Sequence, residues 1–303
     1  AAPEDAAPVP SLPAGQMAVE GIDIVRDFTG DGWRFGRIAA LHALNDLHAT
    51  GAQPAHALAI AAVPPGSAGK VAETLYQMMA GAQSAFAEAG VTLRGGHSGE
   101  GPCALGFAVT GHVDPAARRG KAGLRPGDAL LLTRAIGNGV LFAADMRAQA
   151  HAAEIDAALA AMERSQRDAA RILLQHGATA MTDVSGFGLL GHLGEMLRAS
   201  ACGARLDAEA VPLLPGARRL AERGIASTLL PENLAQARLV EGRLQPWQQA
   251  MLFDPQTAGP LLAGIPANRA ADCLAALRAV GETAAAIIGH VEAGETRIVV
   301  GTA

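Results

Sequence analysis

Between residues 16 and 113 the apolar pattern switches repeatedly between the two-residue period of a strand and the 3.6-residue period of a helix. Residues 16–25 alternate, and 35–50 (FGRIAALHALNDLHAT) carry apolar side chains at helical spacing with Gly51 as the stop. Residues 55–63 form an apolar run closed by Pro64 and Pro65, and 68–89 predict a long helix ended by Gly90. A short strand then enters a glycine-rich stretch, and 104–113 (ALGFAVTGHV) reads as another strand. Strand, helix, strand, helix, strand, strand implies an α+β domain with a mixed sheet.

Residues 114–127 contain Pro, Gly and four basic side chains, a break that sets the expected domain boundary, with domains at 1–115 and 116–303. Beyond it the pattern predicts strands at 129–133, 261–265, 284–291 and 297–300. Helices are predicted at 140–147, 155–176, from the 183–192 stretch to about 200, at 212–224 and at 268–280, with 233–249 irregular or partly helical. Residues 1–15 are Ala- and Pro-rich, with room for one short extended piece at 6–9.

Half of the 303 residues are apolar but only 3% are aromatic, so the core must be built from Ala, Val, Leu and Ile in closely packed layers, as in an α/β protein. The charge balance of 24 basic to 29 acidic residues, without a basic stripe, argues against nucleic-acid binding. An anionic nucleotide remains compatible if metal ions stand between carboxylates and phosphates. Cys103, Cys202 and Cys273 lack metal-site spacing and read as reduced thiols. No membrane span or signal pattern is present, so the cytoplasm is the expected compartment.

The stretch 93–101, LRGGHSGEG, reads as a loop between strands. Gly95, Gly96 and Gly99 would let successive N–H groups converge on an anion, with the Ser98 hydroxyl beside them, although a glycine pair is more often a tight turn. His97 is by itself more often a structural histidine. Asp5, Asp23, Asp46 and Asp183 each sit at an element end or among small residues, and carboxylate oxygen is the ligand magnesium prefers. The ordinary alternatives are an N-cap role for Asp183, pairing of Asp46 with Arg37 or His42, and solvation of Asp5.

The ordered blocks EDAAPV (4–9), IDIVRDF (22–28), FGRIAALHALNDLHATGAQP (35–54), GGHS (95–98), TDVSGFGLLGHLGEM (182–196) and DPQTAGPLL (254–262) closely resemble selenophosphate synthetase, the selenide, water dikinase family. The resemblance runs from about residue 4 to about residue 291 and extends to aminoimidazole ribonucleotide synthetase and related ATP-using enzymes. It implies a two-domain α/β (α+β) fold, with an N-terminal mixed sheet that dimerises and a C-terminal α/β sandwich. It also implies ATP as substrate with Mg2+ between aspartates and phosphates, at the junction of the two domains, and selenide as second substrate. The expected products are selenophosphate, AMP and phosphate. Position by position, Asp23, Asp46, Gly95, Gly96, His97 and Ser98 match nucleotide-side residues, and Asp5, Asp46 and Asp183 match metal-side residues.

The departures are specific. Family members carry, upstream of the block matched at 4–9, a glycine-rich segment with a reactive Cys or selenocysteine followed by Lys. Neither Lys70 nor Lys121 follows a cysteine in such a segment, so no catalytic residue is assigned. The expectation is a chain entered partway, most like the form fused behind a flavin-dependent oxidoreductase, and inactive in selenium delivery by itself. Glu4 replaces an aspartate, His42 stands where Asn is common, and Pro260 removes a backbone donor. Two other readings stay open: a sister enzyme phosphorylating a carbonyl or carboxylate oxygen, and a catalytically silent nucleotide-binding or dimerising domain.

Overall fold

A computed structural model describes residues 11–301, so Asp5 and the 6–9 piece lie outside the described residues. The chain separates into two compact units, residues 1–118 and 119–303.

In the N-terminal unit the order is β1 (Met17–Arg26), α1 (Gly32–Ala49), β2 (Gln53–Val63), α2 (Ala68–Ala89), β3 (Thr92–Glu100) and β4 (Ala104–Val113). The four strands lie side by side as β1-β4-β2-β3. β4 runs antiparallel to both neighbours and β3 parallel to β2, giving the mixed sheet that the sequence implies. Asp31 caps α1 by accepting from Arg34 N at 3.0 Å. Both helices cover one face of the sheet, and few aromatic rings are needed because the helices touch through glycine. A Cβ on Gly36 would meet Met78 O at 1.8 Å, and one on Gly81 would meet Trp33 O at 1.8 Å. The core under them contains Phe35, Leu41, Leu44, Met78, Phe86 and Phe107.

Stretch 93–101 is not the expected loop. It is the body of β3, an edge strand, and its register with β2 sets Gly96 opposite Ala59 and Ser98 opposite Ala61. None of Gly95, Gly96 and Gly99 has a positive φ, so the chain there does not form the converging nest of N–H groups. Gly96 answers a different need, because a Cβ there would lie 2.3 Å from Ala59 O.

The C-terminal unit is built on a seven-stranded sheet ordered β6-β9-β5-β10-β7-β11-β8. Its strands are β5 (Ala129–Leu132), β6 (Ala180–Asp183), β7 (Gly203–Asp207), β8 (Val240–Glu241), β9 (Leu261–Ile265), β10 (Ala286–Glu292) and β11 (Ile298–Gly301). The helices are α3 (Asn138–Asp145), α4 (Ala152–Met162), α5 (Arg167–Gln175), α6 (Gly188–Ser200), α7 (Ala217–Glu222), α8 (Leu230–Asn233), α9 (Pro246–Leu252) and α10 (Ala267–Ala279). Leu130, Leu132, Leu189, Leu193, Met196, Leu206, Leu262 and Ile288 fill the principal core.

Three expectations change here. The single helix over 155–176 is two helices, because Arg134 takes the carbonyl oxygens of Ala161, Arg164 and Ser165 and so holds the chain open between them. The helix over 212–224 shrinks to α7, since Ile136 N donates to Pro212 O and Leu214 N to Ile136 O, drawing that stretch into a bridge. β6 and β7, of four and five residues, are absent from the sequence reading. No helix among the described residues is long and apolar enough to cross a membrane.

Candidate active site

In the N-terminal unit, Val19, Gly21, Asp23 and Val25 alternate toward the helix layer while Ile22 and Ile24 turn away. Asp23 therefore faces α1, with its Oδ1 3.9 Å from His42 Nε2. Asp46 stands one turn after His42 on α1 and packs against β1, where a Cβ on Gly21 would come within 3.1 Å of its Oδ2. Gly21 thus leaves the space that the Asp46 carboxylate occupies. Arg37, a partner considered for Asp46, is engaged by Glu88 at 2.8 Å and Ser84 at 3.1 Å. That contact, chiefly its hydrogen bond, holds the Glu88 carboxyl below its usual range.

Gly95, Gly96, His97 and Ser98 lie at the other end of the sheet. They line a cavity of about 380 Å3 walled by Ala59, Ala61, Leu75, Met79 and Leu93. β4 and β2 stand between β3 and β1, so the Asp23–Asp46 layer is three strand spacings away, about 14 Å at the usual separation. The four-residue run is brought together and the two aspartates are brought together, but one sheet does not join the two sets.

Asp183 ends β6, buried at 6% exposure and paired in register with Leu261. It is not the N-cap of α6, which begins after Phe187. The 183–192 block continues into a loop fastened to the 254–260 block: Val184 N donates to Pro260 O at 2.8 Å and Gln256 N to Ser185 O at 3.0 Å. Pro260, a departure that removes a donor, serves here through its carbonyl. Gly259 permits the contact, since a Cβ there would lie 2.0 Å from Val184 O. Gln256 Oε1 accepts from Gly137 N and Asn138 N at the start of α3. Asn138 in turn exchanges two hydrogen bonds with the Thr257 backbone. Asp254 is wholly buried, accepts from Val140 N at 3.2 Å and Gln256 Nε2 at 2.8 Å, and has its carboxyl pushed up to about 8 by that burial.

Sequence reasoning missed a second cluster. Ser185 Oγ lies 3.3 Å from His192 Nε2, His192 Nδ1 lies 3.2 Å from Glu195 Oε2, and Lys121 Nζ reaches the same Glu195 oxygen at 2.7 Å. His192 Nδ1 and Glu195 Oε2 thus meet at contact distance without forming a well-aligned hydrogen bond. His192 and Lys121 hold the Glu195 carboxyl down to about 2, against the opposing effect of burial. The i,i+3 spacing of His192 and Glu195 on a helix was a readable signal. The return of Ser185 onto His192 depends on the loop geometry.

Among the described residues no group of three or more His, Cys, Asp or Glu side chains forms a ready cage for a metal ion. Magnesium bound to nucleotide needs no such cage, because it is commonly held by one or two carboxylates plus phosphate oxygens and water. Asp23 and Asp46 in the N-terminal unit are carboxylates of that kind, and so, within the C-terminal unit, is Asp183.

Residues 3–113 match the AIR synthase related protein N-terminal domain and residues 125–301 the C-terminal domain of the same family. The chain is 40% identical over 301 residues to a selenide, water dikinase of Myxococcus xanthus, covering 97% of this chain and 84% of that protein. A selenide, water dikinase of Burkholderia ambifaria is 36% identical over 299 residues, with the same two coverages. Among solved structures, a hydrogenase maturation protein HypE in complex with ATP aligns with a TM-score of 0.76 at 20% identity, covering 99% of this chain and 85% of that one. A thiamine-monophosphate kinase from Stenotrophomonas maltophilia aligns at 0.73 and 20%, covering 98% and 89%. At such identities these two structures speak for the fold alone.

Proposed function

The chain belongs to the selenide, water dikinase family of AIR synthase related proteins, and from that membership we propose that it makes selenophosphate from selenide, ATP and water, releasing AMP and phosphate. The observation that carries this reading is 40% identity sustained over 97% of the chain. Sister chemistry on a carbonyl or carboxylate oxygen is supported only by a likeness of fold to the thiamine-monophosphate kinase, at 20% identity.

Phosphoryl transfer asks for positioning and charge neutralisation more than for covalent chemistry from the protein. Asp46 and Asp183 are the carboxylates that would hold magnesium, with Asp23 beside the nucleotide. Bound there, the ion would neutralise phosphate charge and polarise the phosphorus being attacked. Asp23 and Asp46 are kept in one layer by the missing side chain at Gly21. Asp183 is kept by β6 and by the fastening of its loop to residues 254–260. Gly95, Gly96, His97 and Ser98 would offer the open side of edge strand β3 to phosphate, through extended N–H groups and the Ser98 hydroxyl.

The protein would act as a homodimer. Ile22, Ile24, Leu58 and Ile60 are 72, 62, 48 and 48% exposed. They stand in two rows on the face of the N-terminal sheet opposite the helices, Ile22–Ala108–Leu58 and Ile24–Gly106–Ile60. An apolar patch of this kind marks an interaction site, and a second copy is its proposed occupant.

The test is selenide-dependent release of AMP from magnesium ATP by the intact protein, with selenophosphate identified by phosphorus NMR. ADP as the final nucleotide, formed equally with and without selenide, would reject the reading. In calorimetry, a non-hydrolysable ATP analogue should bind in a magnesium-dependent way and lose at least about tenfold in affinity in Asp46→Asn plus Asp183→Asn, roughly 1.4 kcal/mol.

A further inference from the structure

The cluster Ser185, His192 and Glu195 has the order of a base-activated hydroxyl. Its hydroxyl stands within reach of one ring nitrogen, and a carboxylate stands at the other ring nitrogen. Glu195 stays ionised, with Lys121 as a second partner, so it favours the tautomer carrying hydrogen on Nδ1 and leaves Nε2 as an acceptor facing Ser185. His192 is only 5% exposed, and the Phe187 ring lies 5.5 Å from the imidazole at a tilt of 43°. A Cβ on Gly191 would strike Phe187 Cβ at 2.6 Å, so glycine at that position lets Phe187 cover the histidine. Ser185 is part-buried, and its carbonyl is fixed by Gly188 N at 3.1 Å and Gln256 N at 3.0 Å. Elsewhere, Arg134–Glu282 braces three chain segments, and Asp254–Gln256 closes the start of α3.

We propose that Ser185, backed by His192 and Glu195, takes up the proton of the attacking water in the phosphate-releasing step that follows transfer to selenium. This rests on the reading that Asp183, two residues before Ser185, holds phosphate-bound magnesium. The water oxygen forms a bond to phosphorus. The bridging P–O bond breaks, and its electron pair leaves on the departing nucleotide phosphate. Ser185 accepts the water proton while giving its own to His192 Nε2, and Glu195 holds the imidazolium that results. Ser185 is the group that touches the reacting water, whereas His192 and Glu195 act through it as positioning residues.

The experiment is a single-turnover assay of the intact protein with magnesium ATP and selenide, quantifying selenophosphate, phosphate and ADP. Wild type should give selenophosphate and phosphate in equal amounts. His192→Asn keeps a donor toward Glu195 but removes the Nε2 acceptor, and Ser185→Ala removes the hydroxyl. Each should slow phosphate formation by about 10²-fold relative to selenophosphate, leaving ADP behind, and Ser185→Thr should restore the ratio. An unchanged product ratio in His192→Asn and Ser185→Ala would overturn the proposal. If wild type supplied with the upstream Cys or selenocysteine and Lys segment formed neither product, the underlying functional reading would fail. A second readout is independent of turnover: nitrogen-15 NMR of the His192 ring should place hydrogen on Nδ1 and leave Nε2 as an acceptor. The Nε2–H tautomer would overturn the proposal, because that nitrogen could not accept the serine proton.

Discussion

Arg134 donates to both carboxylate oxygens of Glu282, at 2.6 and 2.8 Å, with the two side chains only 6 and 5% exposed. The remaining guanidinium hydrogens go to the carbonyls of Ala161, Arg164 and Ser165, so one buried cation ties the end of β5 to the α4–α5 junction and to the turn after α10. Breaking a buried pair by removing one partner strands the other charge, at a cost of about 3–5 kcal/mol. Glu282→Gln should lower stability by about that amount in urea unfolding; Arg134→Met leaves Glu282 its contact with Arg164 at 3.1 Å but strips three carbonyls of their donor, and should cost a similar amount. A loss below ~1 kcal/mol in both would show that water relaxes into the site.

That pair also explains part of what the sequence could reveal. The helix over 68–89 was legible to the residue because its apolar spacing and its Gly90 stop are local. The break between α4 and α5 was not, because its cause is an arginine more than 25 residues upstream. β6, β7 and the β3 character of 93–101 depend on partner strands, and runs such as AMTD or GGHS carry too little pattern to announce that. The aspartates were readable as carboxylates among small residues. Their grouping into a β1–α1 layer, and the closure of Ser185 onto His192, are tertiary facts.

The glycines of β3 should separate cleanly. A methyl at Gly96 would lie 2.3 Å from the Ala59 carbonyl, whereas one at Gly95 meets only Leu58 Cδ2 at 3.8 Å and one at Gly99 meets nothing within 4 Å. Gly96→Ala should therefore destabilise the protein by about 1–3 kcal/mol and speed hydrogen exchange along β3. Gly95→Ala and Gly99→Ala should stay within ~0.5 kcal/mol of wild type. Equal effects at all three positions would mean that conformational freedom matters more than strand spacing.

Dimerisation through the outer sheet face makes a direct prediction. Ile22→Lys combined with Ile60→Lys sets charges into both rows of the patch without touching the helix-side core. Sedimentation velocity should report a dimer for wild type and a monomer for the double variant, with melting of the isolated fold little changed. A double variant that remains dimeric would move the interface elsewhere.

Asp254 should leave a signature in the pH dependence of stability. Its folded-state carboxyl sits at about 8 against an ordinary 3.8, because burial outweighs the hydrogen bonds from Val140 N and Gln256 and the lesser pull of the nearby Gly139 amide. Between those values the folded chain keeps a proton that the unfolded chain has released. Its contribution is therefore complete below the unfolded value, declines as pH rises, and is gone above the folded value. The decline is at most roughly 1.4 kcal/mol per pH unit. Asp254→Asn has nearly the same shape, keeps an oxygen for Val140 N and cannot ionise. The variant's stability relative to wild type should thus rise steadily from about pH 4 to pH 8, measured by urea unfolding at a series of pH values so that other titrating groups cancel in the difference. Parallel curves across that window would show that Asp254 is ionised in the folded protein, its charge balanced by the amides at the start of α3.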